Sequence, residues 1–487
     1  MDLLMMYLKR NINPINSFLL FLPYAFCAIL FVISFDFPYF WDGVAQVSKE
    51  GFNYYSIFNP NFHNLTVTHS PSLFPMMGLM TASLWTVFGV KLGVTHALIL
   101  IWGILLIYNI RKIVQTFFQE KYVALITFIA FTEPTVLSQL AIGGIDIIIF
   151  TSFVISLRAI LDGKKWLLTI GLFFLINIYS RGLFLGLILL IVDFYFNYYK
   201  GEKRDTKSFL KYCLTCLPAF IFLAVSISIY FTSQNRVSIT SSSYSTHYQL
   251  PASFWIIIRH FFEFVLRSVE NGRLLIWILS LLIGYKLFRS KHLFSKNQKI
   301  LLSVLILHFL LYFLFIFISQ MPFSARYFMP HFFLLAVFCC WGIIHYYKNR
   351  VVYTLLILIV ILQATGHFWI YPDKIAKSWD CTLSHIPYYE LRKSCFRYID
   401  ENGINYDDIS AGFCFYGDRG YAELNNFGKT VIAGRDREYF IYSNISAEDA
   451  DIEDVENSNS WAEVKRFEKG KVFVVLLKRK ESPILTP

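Results

Sequence analysis

The sequence predicts a polytopic α-helical membrane protein with a small C-terminal α/β domain outside the membrane. Of its 487 residues, 56% are hydrophobic and only 16% are charged, whereas soluble domains carry about 25% charged residues. Apolar runs of roughly 18 or more residues recur between Ser17 and Phe368, and each can cross about 30 Å of hydrocarbon as a helix. Beyond Phe368 the composition becomes polar. A soluble fold is therefore excluded for residues 1–368.

We predict about eleven transmembrane helices. The first apolar run is too long for a signal-peptide core and has no small-residue cleavage site, so we interpret it as a retained span. The predicted spans are residues 17–35, 94–110, 122–140, 145–161, 166–179, 182–198, 209–231, 274–288, 300–319, 329–347 and 351–368.

The segment 73–90 decides the topology. It is apolar enough to cross, but it follows Pro71 and contains Pro75. If it lies in the interface, the predicted cytoplasmic loops hold 20 of the 28 Lys and Arg residues before residue 369, as the positive-inside rule requires. We therefore predict a cytoplasmic N-terminus, a first outer loop 36–93 with interfacial helices, a second outer loop 232–273 and an extracytoplasmic domain 369–487.

The net charge of +11 follows from this topology and does not indicate nucleic-acid binding. Before residue 369 there are 28 basic and 13 acidic residues, a net charge of +15, and after it 16 basic and 20 acidic residues, a net charge of −4. Basic residues at the inner ends of spans meet anionic headgroups, so the bilayer is the predicted partner.

The polar tail has the pattern of a small α/β domain. Residues 391–403 are predicted to form a helix that Gly403 ends. Residues 409–416, 429–434 and 471–478 are short apolar stretches typical of strands.

The eight cysteines form no metal or disulfide pattern. Five lie in apolar runs, where buried thiols are expected. Cys381, Cys395 and Cys414 lie in the tail, where three thiols allow at most one disulfide.

Chemistry is expected among ionisable residues near the outer face, because such residues are costly in a membrane and tend to be functional. Seven qualify, and the predicted topology places all of them on one side. They are Asp36, Asp42, His69, Glu133, Asp146, Arg181 and Arg326.

Each candidate also has a structural interpretation. Asp42 suits a general base that takes a proton from an acceptor hydroxyl, but it also suits an N-cap, and Asp36 is its rival for the catalytic role. Asp146, which follows two glycines, also suits an N-cap. Arg181 and Arg326 suit anion binding, yet both could extend to the lipid headgroups.

Five motifs in this order resemble the GT-C superfamily of membrane glycosyltransferases, in the branch with protein O-mannosyltransferases and lipid A aminoarabinose transferases. WDGVAQVSKEG (41–51) is similar to its acidic first-loop motif, and residues 68–90 are similar to its His/Lys-Pro-Pro segment with an interfacial helix. GGIDIIIFTSFVISLRAIL (143–161) is similar to its second acidic site. Residues 179–191 and 325–337 are similar to its later basic motifs.

The resemblance implies a GT-C-like fold over residues 15–368, with Asp42 as catalytic base and Asp146 as the second acidic site. It also implies donor-phosphate contacts from His69, Arg181, Arg326 and Tyr327. The chain has Asp42-Gly43 where the family commonly has Asp-Glu, and Ser70-Pro71 where it has Pro-Pro. No cofactor is indicated, and the use of a divalent metal is left open.

We therefore expect a hexosyltransferase of a bacterial inner membrane that takes a sugar from a polyprenyl-phosphate donor. The favoured acceptor is a cell-envelope glycan or glycolipid such as lipopolysaccharide O-antigen, by analogy of size and layout. Two sequons, at Asn64 and Asn444, leave a eukaryotic lumenal enzyme open. The rival functions are a flippase or transporter for lipid-linked oligosaccharides and an O-antigen polymerase.

Overall fold

The computed structural model describes most of the chain. The described residues are 14–60, 73–200, 206–234, 253–318, 324–369, 379–412, 414–445, 449–457 and 460–480. His69 and residues 235–252 of the second outer loop lie outside these ranges.

Helices occupy the positions of all eleven predicted spans. In chain order the helices up to residue 366 are α1 (Pro14–Ser34), α2 (Trp41–Gly43), α3 (Glu50–Phe58), α4 (Met76–Phe88), α5 (Leu92–Phe117), α6 (Glu120–Phe131), α7 (Pro134–Ile142), α8 (Ile145–Asp162), α9 (Lys165–Ile178), α10 (Ser180–Asp193), α11 (Thr206–Gln234), α12 (Phe254–Val269), α13 (Leu274–Ser290), α14 (Lys296–Ile318), α15 (Met329–Tyr346) and α16 (Asn349–Gly366).

Not every one of these helices is long and apolar enough to cross a membrane alone. Six of the described helices are long and apolar enough to cross alone. The number rises to eight if the bent pairs α6–α7 and α12–α13 each count as one span. The other predicted spans coincide with α1, α8 and α9. The count of eleven crossings therefore stays a prediction, while the helical architecture is confirmed.

Helix α4 covers the segment that decides the topology. Its 13 residues extend about 20 Å at 1.5 Å per residue, which is shorter than the roughly 30 Å of a hydrocarbon core. Its Trp85 ring lies 4.9 Å from that of Phe52 in α3. Its length therefore favours a position in the interface.

One buried ion pair joins the two sharp bends of the helical region. Helices α6 and α7 meet at 58°, and α12 and α13 meet at 95°. At the first bend Glu133 caps α7 by accepting a bond from the Val136 amide at 3.0 Å, and Pro134 begins the helix, where its missing N–H costs nothing. Arg273, at the second bend, donates through Nε to Glu133 Oε1 at 2.8 Å.

The tail folds into a six-stranded mixed sheet with order β2-β3-β1-β4-β6-β5. The predicted helix is present as α17 (Pro387–Glu401) and ends before Gly403, whose φ is +62°. The remaining elements are β1 (Ile409–Ala411), β2 (Gly417–Asp418), α18 (Arg419–Glu423), β3 (Thr430–Ala433), β4 (Tyr439–Ser443), α19 (Asp449–Asn457), β5 (Trp461–Lys469) and β6 (Val472–Arg479).

The sheet domain packs on the loop that follows the first span. The Phe37 ring stacks on Tyr389 with centroids 4.0 Å apart, and Phe40 meets Tyr388 edge-on at 5.9 Å. The Tyr39 amide donates to the Ala422 carbonyl at 2.8 Å. The chain leading to Asp42 therefore lies between the helices and the sheet. None of the eight cysteines, all of which lie within the described residues, forms a disulfide.

We predict that Glu133→Ala strongly destabilises the fold. It leaves Arg273, whose side chain is 2% exposed, as a buried charge without its carboxylate, which costs about 3–5 kcal/mol. The matched control is Glu263→Ala, which removes the partner of the 60% exposed Arg259 and costs about 0.5 kcal/mol. Thermal unfolding in detergent, followed by circular dichroism, measures both, and equal changes in Tm would contradict the prediction.

Candidate active site

Asp146 is placed by the sharp connection between α7 and α8. Gly143 ends α7 in the left-handed region, at φ +74°, which glycine adopts without steric cost. Gly144 is the N-cap of α8, so the interpretation of Asp146 as an N-cap is wrong. Its carboxylate, which is 4% exposed, instead accepts from Arg181 Nη1 at 2.7 Å.

Asp42 lies inside a helical turn. It belongs to α2, which continues directly into the π-helical segment Val44–Lys49, and π-helical turns are frequent at functional sites. It is therefore not the N-cap of the helix that follows it. Its Oδ2 atom lies 2.6 Å from Nη2 of Arg326.

Arg326 brings together three carboxylates from distant parts of the chain. It lies in the 3₁₀ turn Ala325–Phe328 that leads into α15. Its Nη2, Nη1 and Nε atoms lie 2.6 Å from Asp42, 3.3 Å from Asp380 and 3.7 Å from Asp146. The side chain is 15% exposed, so it does not extend to the lipid headgroups.

Arg181 completes the charged cluster from the start of α10. Its guanidinium carbon lies 4.0 Å from the centroid of the Tyr327 ring and 5.1 Å from that of Tyr179. Stacking on two aromatic rings suits the planar, weakly hydrated guanidinium group. Arg181 is therefore held by one carboxylate and two rings.

A small cavity lies against this cluster. It is partly open to solvent, and the space between its walls, solvent at the mouth included, is about 220 Å³. One part of its wall is charged or hydroxylated and the rest is apolar. The polar lining comes from Asp146, Arg181, Tyr312, Arg326 and Tyr327, and the apolar lining comes from Ile149, Phe150, Leu185, Met329 and Pro330.

The structure thus brings together Asp42, Asp146, Arg181, Arg326 and Tyr327. Three other predicted candidates lie elsewhere or cannot be placed: Asp36 is exposed and has His96 as an electrostatic neighbour, Glu133 forms the structural ion pair with Arg273, and His69 lies outside the described residues.

Sequence reasoning missed two residues of the cluster. Asp380 comes from the segment after the last span, whose polarity predicts a soluble domain. Tyr312 lies inside the apolar run that forms α14, where a tyrosine carries no visible signal. Only the folded chain places them beside Arg326 and Arg181.

The geometry of the charged cluster also bears on metal binding. Within the part of the chain that the structure describes, no group of three or more His, Cys, Asp or Glu residues is arranged to hold a metal ion. The cluster's carboxylates face arginines instead. The expectation that no cofactor is required stays a prediction.

Comparison with solved structures identifies the architecture. The crystal structure of ArnT from Cupriavidus metallidurans in the apo state matches with a TM-score of 0.56 and 10% identity, covering 93% of this chain and 97% of that chain. The crystal structure of the same protein bound to undecaprenyl phosphate matches with a TM-score of 0.53 and the same identity and coverage. No protein-family model and no curated protein matches the chain.

The chain has the fold of ArnT. The predicted GT-C-like fold is thereby confirmed, and the likeness covers nearly the whole chain of both ArnT structures. At 10% identity it establishes the fold alone, so chemistry has to be argued from the residues of the cluster.

We predict that Arg326→Met lowers thermal stability sharply. The substitution preserves much of the side-chain volume but leaves three carboxylates facing one another without their shared cation, and unpaired buried charges cost several kcal/mol. The control Arg289→Met changes an exposed residue in the last turn of α13 and should stay within about 0.5 kcal/mol. Melting of the purified proteins in detergent compares them, and equal Tm values for the two variants would refute the prediction.

Proposed function

We propose that this protein is a glycosyltransferase that moves a sugar from a polyprenyl-phosphate donor to a cell-envelope glycan or glycolipid, with Asp42 as general base. The observation that carries the proposal is the convergence of Asp146, Arg181 and Arg326 around one cavity, with Asp42 2.6 Å from Arg326. This arrangement combines a carboxylate able to accept a proton with cations able to hold a phosphate.

The cavity lining is polar in one part and apolar in the other, which supports a lipid-borne donor. Arginines and tyrosine hydroxyls suit a phosphate, while Ile149, Phe150 and Leu185 offer apolar contact to the first isoprene units. A crystal structure of ArnT, which has this fold, contains undecaprenyl phosphate. A polyprenyl phosphate is therefore the donor class that we propose.

The contacts of the two arginines suggest different roles. Three nitrogens of Arg326 face carboxylates, so this residue orients Asp42 and gathers the acidic groups. Arg181 contacts one carboxylate and lies over aromatic rings. Arg181 is consequently the better candidate for direct phosphate binding. We propose that Tyr327 supports Arg181 by stacking and that His69 is a further hydrogen-bond donor to the phosphate.

The reaction that fits these groups is a single displacement. Asp42 accepts the proton of the acceptor hydroxyl, and the hydroxyl oxygen forms a bond to the anomeric carbon. The bond between that carbon and the phosphate oxygen breaks, and the electron pair leaves with the polyprenyl phosphate. Negative charge grows on the phosphate in the transition state, so fixed guanidinium groups lower the barrier.

The acceptor and the location extend the proposal further. We favour an O-antigen or lipopolysaccharide acceptor and a bacterial inner membrane, with the N-terminus in the cytoplasm and the sheet domain in the periplasm. The excess of Lys and Arg in the predicted cytoplasmic loops supports this orientation. Asp36 keeps its place as the rival base.

We predict that Asp42→Asn abolishes transfer, with a loss of at least about 100-fold in kcat, because general-base catalysis contributes about 10²–10⁴-fold. The assay measures transfer from radiolabelled polyprenyl-phosphate sugars in membranes that contain the variant. Asp36→Asn is the matched control from the same loop, and it should retain transfer because Asp36 is exposed and outside the cluster.

The same assay separates the alternatives. Full activity of Asp42→Asn would show that Asp42 is not the general base. Loss of transfer in Asp36→Asn alone would identify Asp36 as the base. Absence of transfer from every such donor by the wild type would favour the flippase or polymerase. An EDTA arm of the assay tests whether transfer uses a divalent metal, since chelation lowers the rate only of a metal-dependent reaction.

We predict that Arg181→Lys raises the KM for the donor about 10-fold or more. Lysine keeps the charge but loses the planar fork that binds phosphate oxygens and stacks on Tyr327. Initial rates over a range of donor concentrations measure the effect. Arg259→Lys, a change at an exposed position on α12, is the control, and equal KM values for the two variants would argue against phosphate binding by Arg181.

A further inference from the structure

We propose that Asp380 is a positioning residue that orients Arg326, and that the segment between the last span and the sheet completes the active site by holding Asp380 against helix α7. The inference rests on the proposed function, because it names a further residue of the same site. It gives the segment between the last span and the sheet a role that its sequence does not reveal.

Asp380 and Asp42 contact different terminal nitrogens of the Arg326 guanidinium group. Asp380 Oδ2 lies 3.3 Å from Nη1 of Arg326, while Asp42 Oδ2 lies 2.6 Å from Nη2. The Asp380 side chain is only 12% exposed. Two carboxylates on the two terminal nitrogens restrict rotation of the guanidinium plane, so Asp380 determines the direction in which Arg326 presents Nη2 to Asp42.

The main chain of Asp380 is fixed by helix α7. Its carbonyl oxygen accepts hydrogen bonds from Ser138 Oγ at 2.7 Å and from Gln139 Nε2 at 2.8 Å. Ser138 Oγ also lies 3.1 Å from the Thr382 carbonyl oxygen. Two adjacent side chains of α7 thereby bind the segment that carries Asp380.

The segment is also anchored by the residues that follow Asp380. The Leu383 amide donates to His367 Nδ1, just after the last span, at 3.1 Å. Cys381 is fully buried, and its Sγ lies 3.5 Å from Oγ of Ser324, two residues before Arg326. The segment thus contacts the Arg326 turn through a second residue, as a fixed part of the site would.

The expected kinetic signature follows from the geometry. A catalytic group displaced by about 1 Å can lose about 100-fold in rate. If Asp380 acts by orienting Arg326, its loss disturbs the transition state more than the binding of donor. The effect should therefore fall on kcat, with a small change in KM.

The first experiment compares Asp380→Asn, Asp380→Glu and the control Glu390→Gln in the transfer assay. Glu390 forms an exposed ion pair with Lys469 on the sheet domain, where both side chains are at least 60% exposed. We expect Asp380→Asn to lower kcat at least 10-fold with less than a threefold change in the KM for donor. Asp380→Glu should recover part of the loss, and Glu390→Gln should behave as the wild type. Wild-type kinetics in Asp380→Asn would overturn the proposal.

A double-mutant cycle tests whether Asp380 acts through Arg326. In an Arg326→Lys background, Asp380→Asn should lower kcat by less than threefold further, because the group it orients is already altered. Independent, multiplicative losses would show that Asp380 does not work through Arg326 and would overturn the positioning role.

Chemical labelling tests the docking without any need for activity. Burial is the main cause that raises the pKa of the Cys381 thiol, and the nearby Asp380 carboxylate adds to it, so this thiol should react slowly with N-ethylmaleimide while the segment is docked. We expect Ser138→Ala/Gln139→Leu to increase labelling of Cys381 at least fivefold, measured by peptide mass spectrometry, and to lower kcat.

The combined outcomes separate this inference from the proposed function. A wild type inactive with every donor, together with increased labelling in the double variant, would refute the transferase and leave the docking contact intact. Unchanged labelling in the double variant, with an active wild type, would refute the docking role of α7. Increased labelling with an unchanged kcat would refute the coupling of docking to catalysis.

Discussion

The site depends on one guanidinium group that is shared by three carboxylates. Asp42, Asp146 and Asp380 come from the first loop, from the start of α8 and from the segment after the last span, and each faces a different nitrogen of Arg326. Without this cation the three acids would repel one another in a place where water screens little. This contact therefore joins the first loop, the helical region and the segment that leads to the sheet.

A second set of contacts keeps the elements around the cluster rigid. Glu133 and Arg273 join the two sharp helix bends, and this fixes the start of α7. Helix α7 then presents Ser138 and Gln139 to the Asp380 carbonyl. A buried pair outside the charged cluster therefore supports it through helix α7. Supporting contacts of this kind keep catalytic groups within productive geometry.

Much of this architecture could be predicted from the sequence, because long apolar runs and lone ionisable residues are strong signals in a membrane protein. Asp42, Asp146, Arg181 and Arg326 stand out for that reason, and the structure brings them together. Asp380 could not be found in this way, because a polar residue in a polar segment is not conspicuous. Strands β4 and β5 were also missed: β4 pairs with β6, which is distant in the chain, and most of β5 is exposed and charged, which hides its alternation.

The position of Asp380 in the chain has a consequence for biosynthesis. A ribosome completes the first loop, α8 and the Arg326 turn well before it reaches residue 380, and the sheet that packs on Tyr39 and Phe40 is made last. The nascent chain therefore lacks its third acidic group until every span has been made. In the transferase that we propose, lipid-linked sugar would then be protected from premature discharge by a half-made enzyme, because the order of synthesis is also the order in which the site is assembled.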